Sequence, residues 1–416
     1  MNVVFPLLVL SAVLYAIVAG FDPATMAWSH EPMKAVGESA LSSAKGAVDL
    51  AIGLVGYMAL FLGLVEIVKE AGGLDFVAKL LRPVLVRLFP DVPPEHPAMG
   101  AMVMNLAANM VGLTNAATPF GLKAMAELNT LNEKKDTATN AMCLFLAINT
   151  AGVAVLPSGM IALRASVGST DPASIFSTTI AATICHSICA IVIVKLMERL
   201  PLYRRTAPPA PPVERPATSF RELLPFFGFV VAIVALITAV YVFGEKASSM
   251  LIPLLIAGMI IVGLVKKVRV YEVFIRGAKD GFNVALLIIP YMVAILAAAG
   301  MLRASGALDA IVRLLSPVTT LIGLPSEVLP VALLRPLSGS GAYALTADIL
   351  KAHGPDTYIG TLASTVNGSS ETTFYVLAVY FGSISITRTR HALPAGLLAD
   401  LVGVLASIAA VRLLLF

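Results

Sequence analysis

The sequence predicts an all-α polytopic membrane protein of two inverted-topology repeats with broken or re-entrant helices, joined by a connecting two-helix hairpin. Three observations predict it. The 416 residues are 58% hydrophobic and 13% charged, with mean hydropathy +0.89, whereas soluble domains average about 25% charged residues. Clusters of Ser, Thr, Asn, Gly and Pro interrupt the apolar segments. Irregular backbone of that kind persists at membrane depth only inside protein or along a wet cavity. Finally, the second half repeats the first at a constant offset of 234 positions.

Met1 to Gly20 is an apolar run without a basic segment before it, so it reads as a retained first helix and not a cleaved signal. Residues 21–46 are polar and suggest at most a short interfacial helix. Residues 47–68 form a span carrying Asp49 and Glu66, with Glu66 expected to pair with Lys69. Residues 74–89 alternate apolar and basic positions and stop at Pro90. They are too short and charged for the roughly 20 residues a bilayer needs, so an interfacial or re-entrant helix is expected. Residues 98–128 hold a polar cluster between two short helices, and residues 138–165 a helix broken near Asn149–Gly152 and Pro157. A span at 174–197 closes the first half.

The Pro- and Arg-rich stretch that follows Tyr203 is an exposed linker. Two spans at 222–243 and 249–265 form the hairpin. The second half then offers a span at 283–302, a shorter helix at 309–323, polar breaks at 335–342 and 364–373, and a last span at 392–414. The expected units are residues 1–200, the linker 201–221, the hairpin region 222–270, and residues 271–416.

At the offset of 234, Ala44-Lys45 matches Ala278-Lys279, Tyr57-Met58 matches Tyr291-Met292, and Leu80-Leu-x-Pro-Val84 matches Leu314-Leu-x-Pro-Val318. Gly72 and Asp75 match Gly306 and Asp309. Shared Gly, Asp and Pro positions mark an internal duplication, the architecture of many secondary transporters. Basic residues follow the first span of the first half (Lys69, Lys79, Arg82, Arg87) but precede that of the second (Lys266, Lys267, Arg269). They end the last span of the first half and begin that of the second (Arg388, Arg390). With basic loops cytoplasmic, the two repeats are inverted. The small net charge of +4 is therefore a topology signal, and no nucleic-acid partner is expected.

Two polar regions carry the chemistry. Asn105-Leu-Ala-Ala-Asn-Met-Val-Gly-Leu-Thr-Asn-Ala-Ala-Thr-Pro-Phe-Gly-Leu-Lys-Ala-Met125 resembles the signature of spore maturation protein A. Arg335-Pro-Leu-Ser-Gly-Ser-Gly-Ala342, Ala363-Ser-Thr-Val-Asn-Gly-Ser-Ser-Glu-Thr-Thr-Phe-Tyr375 and Arg390-His-Ala392 resemble spore maturation protein B. The resemblance covers nearly the whole chain. It implies a fused A–B protein, each half with the nucleoside-recognition Gate domain that also occurs in concentrative nucleoside transporters and in ferrous-iron transport protein B. One departure is Val-Asn-Gly-Ser-Ser-Glu, where the family has a more Gly- and Ser/Thr-rich run before the Glu.

Glu371 stands out within its apolar surroundings. A carboxylate at mid-membrane costs roughly 2.5 kcal/mol or more unless paired, hydrated or protonated, so it is a coupling or ligand-contact residue, or else a helix N-cap or a partner of Arg335. The Arg335 fork suits a phosphate, a carboxylate or a nucleobase edge. Ser338 and Ser340, among glycines, offer hydroxyls and half-helix ends whose dipoles favour anions, or simply close packing. The expected substrate-binding set is Asn105, Asn109, Thr114, Asn115, Thr118, Asn149 and Thr150 on one wall. Arg335, Ser338, Ser340, Asn367, Ser370, Glu371 and Thr372 form the other. Asp400 and His186, each inside a last span, join Glu371 as candidate proton or cation coupling residues. Cys185 and Cys189 read as buried packing residues, and no metal site is expected.

These residues point to a multi-pass protein of the bacterial inner membrane, non-enzymatic, moving a small polar or anionic solute, nucleoside-like by resemblance, by alternating access at a midplane site. A lipid-linked substrate and a non-transporting envelope or spore-maturation scaffold are the alternatives. An intramembrane hydrolase using Ser340, His391 and Asp400 lacks the strand–turn–helix elbow that chemistry uses. No cofactor is expected beyond a coupling proton or cation, and no Gly-x-x-x-x-Gly-Lys-Ser/Thr loop is present. The partners are the bilayer, a small-molecule or lipid substrate, and a second copy in a homodimer.

Overall fold

A computed structural model of the chain describes residues 4–22, 26–112, 114–152, 155–203, 223–243 and 245–416. After α1 (Val4–Gly20), the first repeat runs α2 (Glu31–Glu70), α3 (Gly73–Leu88), α4 (Pro97–Val111), α5 (Thr114–Thr130), α6 (Asn140–Thr150), α7 (Ser158–Ser166) and α8 (Ile175–Met197). The hairpin is α9 (Leu224–Phe243) and α10 (Glu245–Val265). The second repeat runs α11 (Val270–Ala304), α12 (Ala307–Ile322), α13 (Leu329–Leu334), α14 (Gly339–His353), α15 (Tyr358–Gly368), α16 (Thr373–Ser383) and α17 (Ala392–Leu414). Apart from helices, the described residues hold a two-residue antiparallel pairing of Phe21–Asp22 with Ala27–Trp28. Among the described residues four helices are long and apolar enough to cross a membrane, namely α2, α8, α11 and α17. The expected linker falls largely outside the described residues.

The duplication is visible in the backbone. α2 and α11 end, and α3 and α12 both begin and end, at positions 234 apart. The link between each pair is a left-handed glycine, Gly72 (φ 86°) and Gly306 (φ 81°), a conformation that costs glycine nothing.

The spine is the packing of α2 against its repeat equivalent α11. Gly300 lies against Ser39 and Ser43, Gly281 against Met58 and Ala59, and Gly277 against Leu62 and Glu66. Positions rise along one helix as they fall along the other, so the equivalents run antiparallel, as inverted repeats require. Missing Cβ atoms let the backbones approach closely, the usual device of membrane helices. A Cβ on Gly277 would stand 2.6 Å from the Glu66 Cβ.

Two expectations change here. Residues 31–46 continue the span as one helix of 40 residues, about 60 Å long, and α11 likewise begins at Val270 and not near 283. The extra turns are held by the antiparallel partner, which a window of hydropathy does not see. Glu66 pairs with Lys69 Nζ at 2.9 Å as expected, and also with Arg276 Nη2 at 3.2 Å.

Both main cores mix the repeats. One packs Met102, Leu106, Phe145 and Leu146 with Val376, Tyr380 and Ala395. The other packs Leu54, Phe61 and Leu163 with Met292, Leu334 and Leu350. Cys143 is buried, but Cys185 is exposed and Cys189 half-buried, alongside exposed Ile184, Ile188, Val192 and Leu196. The packing expected for that cysteine pair is therefore overturned, because α8 turns this stripe outward.

Each face of the molecule carries a clamp between repeats. Beside Tyr203, where the chain leaves for the linker, the α5–α6 loop meets the α16–α17 loop. The Asp136 carbonyl accepts from the Thr387 and Arg388 amides at 3.0 and 2.9 Å, and Arg390 Nη1 reaches Asn140 Oδ1 at 2.7 Å. On the opposite face, the equivalent loops have exchanged repeats. The α14–α15 loop presents Asp356 to Arg164 Nη2 (2.8 Å), the Thr170 amide (2.8 Å) and the Ser169 hydroxyl (2.5 Å). Arg164 is fully buried.

Candidate functional site

α6 and α15 have 11 residues each, about 16 Å, half the roughly 30 Å of a bilayer core. They start from opposite faces, each behind a threonine cap. Thr139 accepts from the Met142 amide, and Thr357 from the Gly360 amide, both at 3.2 Å. Their C-termini meet in the middle, where the Glu371 amide donates to the Thr150 carbonyl at 2.8 Å. Gly152, at φ 61°, lies so close that a Cβ would stand 2.9 Å from the Ser370 carbonyl carbon. The depth is fixed independently: Ser369 O lies 3.3 Å from Nδ1 of His186, the central residue of α8.

Two converging C-termini bring partial negative charge together. Arg335, just past α13, answers it. Its Nη2 donates to the Ser370 carbonyl, its Nη1 reaches Thr372 Oγ1 at 3.5 Å, and Nη2 stands 3.7 Å from Glu371 Oε2. The guanidinium is nearly buried (10% accessible) while the carboxylate is 42% accessible, so Glu371 is the member of the pair left to meet a ligand. Pro336 is drawn in as well, its carbonyl accepting from the Phe374 amide at 2.9 Å.

Ser338 caps α14, accepting from the Gly341 amide at 3.0 Å, and Ser340 is half-buried in the first turn of that helix. Ser370 is buried, its hydroxyl donating back to the Val366 carbonyl at 3.3 Å. Asn367 turns into its own repeat, donating to Thr346 Oγ1 at 3.0 Å. The second break is narrower than expected, since α15 continues through Ser364 to Gly368.

On the first-repeat side, Asn109 donates to Asn149 Oδ1 at 3.0 Å, and Asn149 to the Phe145 carbonyl at 2.9 Å. Thr150 closes its own helix on the Ala147 carbonyl. Asn105 is fully buried, its amide shared between the Ala117 carbonyl (2.8 Å) and the Tyr380 hydroxyl (3.1 Å). Thr118 is half-buried on α5. The side chains of Thr114 and Asn115 lie outside the described residues.

Asp400 and His186 come together, at 3.9 Å between Oδ1 and Nε2. His391, expected at an interface, is fully buried at the start of α17. It is nine residues from Asp400 along one helix, about 13 Å, and the Ser340–His391–Asp400 arrangement does not form.

Several residues escaped the sequence reading. Thr373 donates to Asp400 Oδ2 at 2.7 Å, and Ser369 bonds Ser407 at 3.1 Å. Tyr380 fits where Gly121 has no Cβ. That glycine, following Thr118-Pro-Phe, was the available signal.

The Gate family model, described as nucleoside recognition, matches residues 51–168 and 285–387. Spore maturation protein B of Bacillus subtilis (strain 168) is 51% identical over 167 residues, 40% of this chain and 94% of that protein. Spore maturation protein A of the same organism is 41% identical over 170 residues, 41% of this chain and 85% of that protein. A solved structure of a CNTnw double variant in an outward-facing state aligns over 97% of this chain and 89% of that one, at 15% identity and a TM-score of 0.45.

Proposed function

The chain belongs to the Gate family of nucleoside-recognition proteins, with spore maturation proteins A and B as relatives, and from that premise we propose that it carries a small polar, nucleoside-like solute across the bacterial inner membrane. One observation carries the reading. Two half-length helices enter from opposite faces and end against each other at Thr150 and Glu371, gathering a half-accessible carboxylate and amide side chains at membrane depth. Transporter sites are built at such discontinuities between inverted repeats.

In this reading Glu371 accepts hydrogen bonds from solute hydroxyl or amine groups. Arg335 holds Glu371 and the Ser370 carbonyl in place. Asn149, its amide taken up by Asn109 and the Phe145 carbonyl, holds the half-buried Asn109, whose amide oxygen meets a donor of the base from the other side. Because both terminal nitrogens of Arg335 already face protein oxygens, a neutral solute fits better than a phosphorylated one. Thr372 meets Arg335, while Asn105, Ser338 and Asn367 hold the helices behind the site. Access alternates as the broken helices at the site move within the cores that the two repeats share.

The test is thermal stabilisation of the purified chain, followed by uptake into proteoliposomes, using nucleosides, nucleotides and lipid phosphates. A ligand that binds the folded state raises the melting temperature by mass action. Nucleosides are expected to stabilise the parent and to lose that effect in both Glu371→Gln and Asn149→Ala. Stabilisation by lipid phosphates alone replaces the solute with a lipid-linked substrate. Stabilisation that persists in both variants removes the site from this location.

A further inference from the structure

Behind the Arg335–Glu371 pair lies a polar contact that solute binding does not use. His186 sits fully buried at the centre of α8, against Gly403 of α17, where a Cβ would stand 2.7 Å from Nδ1. That nitrogen faces the Ser369 carbonyl at 3.3 Å. A carbonyl only accepts, so Nδ1 carries the hydrogen, and a neutral imidazole then presents a lone pair at Nε2. Nε2 points at Asp400 Oδ1, 3.9 Å away, and neither atom has a hydrogen-bond partner among the described residues. The other carboxylate oxygen is occupied by the Thr373 hydroxyl at 2.7 Å. Two buried acceptors therefore face each other, an arrangement that is costly unless something donates between them.

We propose that His186 and Asp400 form a proton-binding site that governs the break between α15 and α16, and so couples a proton to the solute site proposed above, on which this inference rests. A single proton on the carboxyl satisfies both orphaned atoms, its O–H donating from Oδ1 to the Nε2 lone pair of the neutral imidazole. The pair grips the break at both edges: His186 holds Ser369 and Asp400 holds Thr373. Glu371 lies between these two anchors. Closing the 3.9 Å gap draws α8 and α17 together across the break, and losing the proton sets the two acceptors apart.

Among the described residues, few other groups act on the pair. Arg335 acts electrostatically on both His186 and Asp400, and Glu371 is bound up with Arg335. α15 and α17 bring the Ser369 and Ser407 hydroxyls, which bond one another. α6, which packs against both α8 and α17, ends in the uncharged Asn149 and Thr150.

The experiment is infrared spectroscopy of the full chain in lipid vesicles across a pH series, reading the C=O stretch of protonated carboxyl groups. It needs no solute, so its failure is separable from failure of the transport reading. A carboxyl band is expected that fades as pH rises. It should be absent in Asp400→Asn and retained in Glu371→Gln. In His186→Gln its midpoint should move by at least tenfold in proton concentration, an arm that stands even if Asp400→Asn does not fold. A second readout follows the break itself. In a chain with Cys143, Cys185 and Cys189 replaced by Ala, labelling of Ser370→Cys by a water-soluble maleimide should change rate at the same midpoint. A band unaffected by both substitutions, a pair that answers to added sodium or zinc but not to pH, or a labelling rate flat with pH each overturns the proposal.

Discussion

At the end of α6 the free carbonyls and side chains are met by neutral groups: Asn109 on Asn149, and the Glu371 amide on the Thr150 carbonyl. At the end of α15, its counterpart by duplication, the guanidinium of Arg335 takes the Ser370 carbonyl and stands beside the Glu371 carboxylate. The backbone is similar and the electrostatics are not. Duplication supplied two equivalent helix ends, and the second half alone placed a fixed cation and anion there. One end therefore rests on ordinary hydrogen bonds, while the other depends on a pair of charges of which one member is nearly buried.

That contrast can be broken most forcefully at the charged end. Arg335→Ala strips the C-terminus of α15 of its cation and leaves Glu371 alone. Breaking a buried pair costs 3–5 kcal/mol, and with Glu371 partly accessible the expected loss is about 3 kcal/mol. Denaturation of the lipid-embedded chain measures it, and adding Glu371→Gln should recover part of the loss. A double variant no more stable than the single one would mean that the two groups do not act as a pair. The seam between the ends comes next. Gly152→Ala puts a Cβ against the Ser370 backbone and strains a left-handed residue, for an expected loss of about 2 kcal/mol read in the same assay. The neutral end is the gentlest case. Asn149→Ala should cost about 1 kcal/mol, and a loss equal to that of Arg335→Ala would erase the asymmetry.

The smallest effect belongs to the clamp on the face away from the linker. Burial acts to raise the Asp356 carboxyl, but the Ser169 and Thr170 hydroxyls, the Thr170 amide and Arg164 outweigh it and hold it low. A carboxylate lowered in the folded chain contributes stability that is complete above its ordinary value of about 3.9 and is lost as pH falls through the lowered one. The parent should therefore lose more stability than Asp356→Asn as pH drops below that value. Parallel losses would sharpen the comparison by removing this carboxylate from it.

Much of this was legible from residues. Pro157, Gly152 and the serine-rich run before Glu371 announced the breaks, because backbone freed from a helix must be satisfied by protein or water. α17 ran where hydropathy placed it, from Ala392 to Leu414. The polar first half of α2 was unreadable, since Glu38 and Lys45 outside a bilayer look like loop until a partner helix such as α11 is known. The facing of α8 was misjudged for another reason: against lipid, an outward stripe of Ile184, Ile188 and Cys185 is as apolar as a packed one. Asn105 and Tyr380, like His186 and Asp400, sit in opposite halves of the sequence, and only the interleaving of the repeats brings them together.

The crossed clamps have a consequence for covalent continuity. Arg164 and Asp136 of the first half seize Asp356 and Arg388 of the second, one grip on each face of the bilayer, and both main cores are shared. The two halves are thus held to each other by contacts that do not depend on the peptide bonds joining them. Cleaved by a protease within residues 204–222, the two fragments should still travel as one particle in mild detergent and separate only when the fold itself is lost. Co-expressed as two polypeptides, the halves should still find each other, and covalent joining would add a higher local concentration and equal numbers.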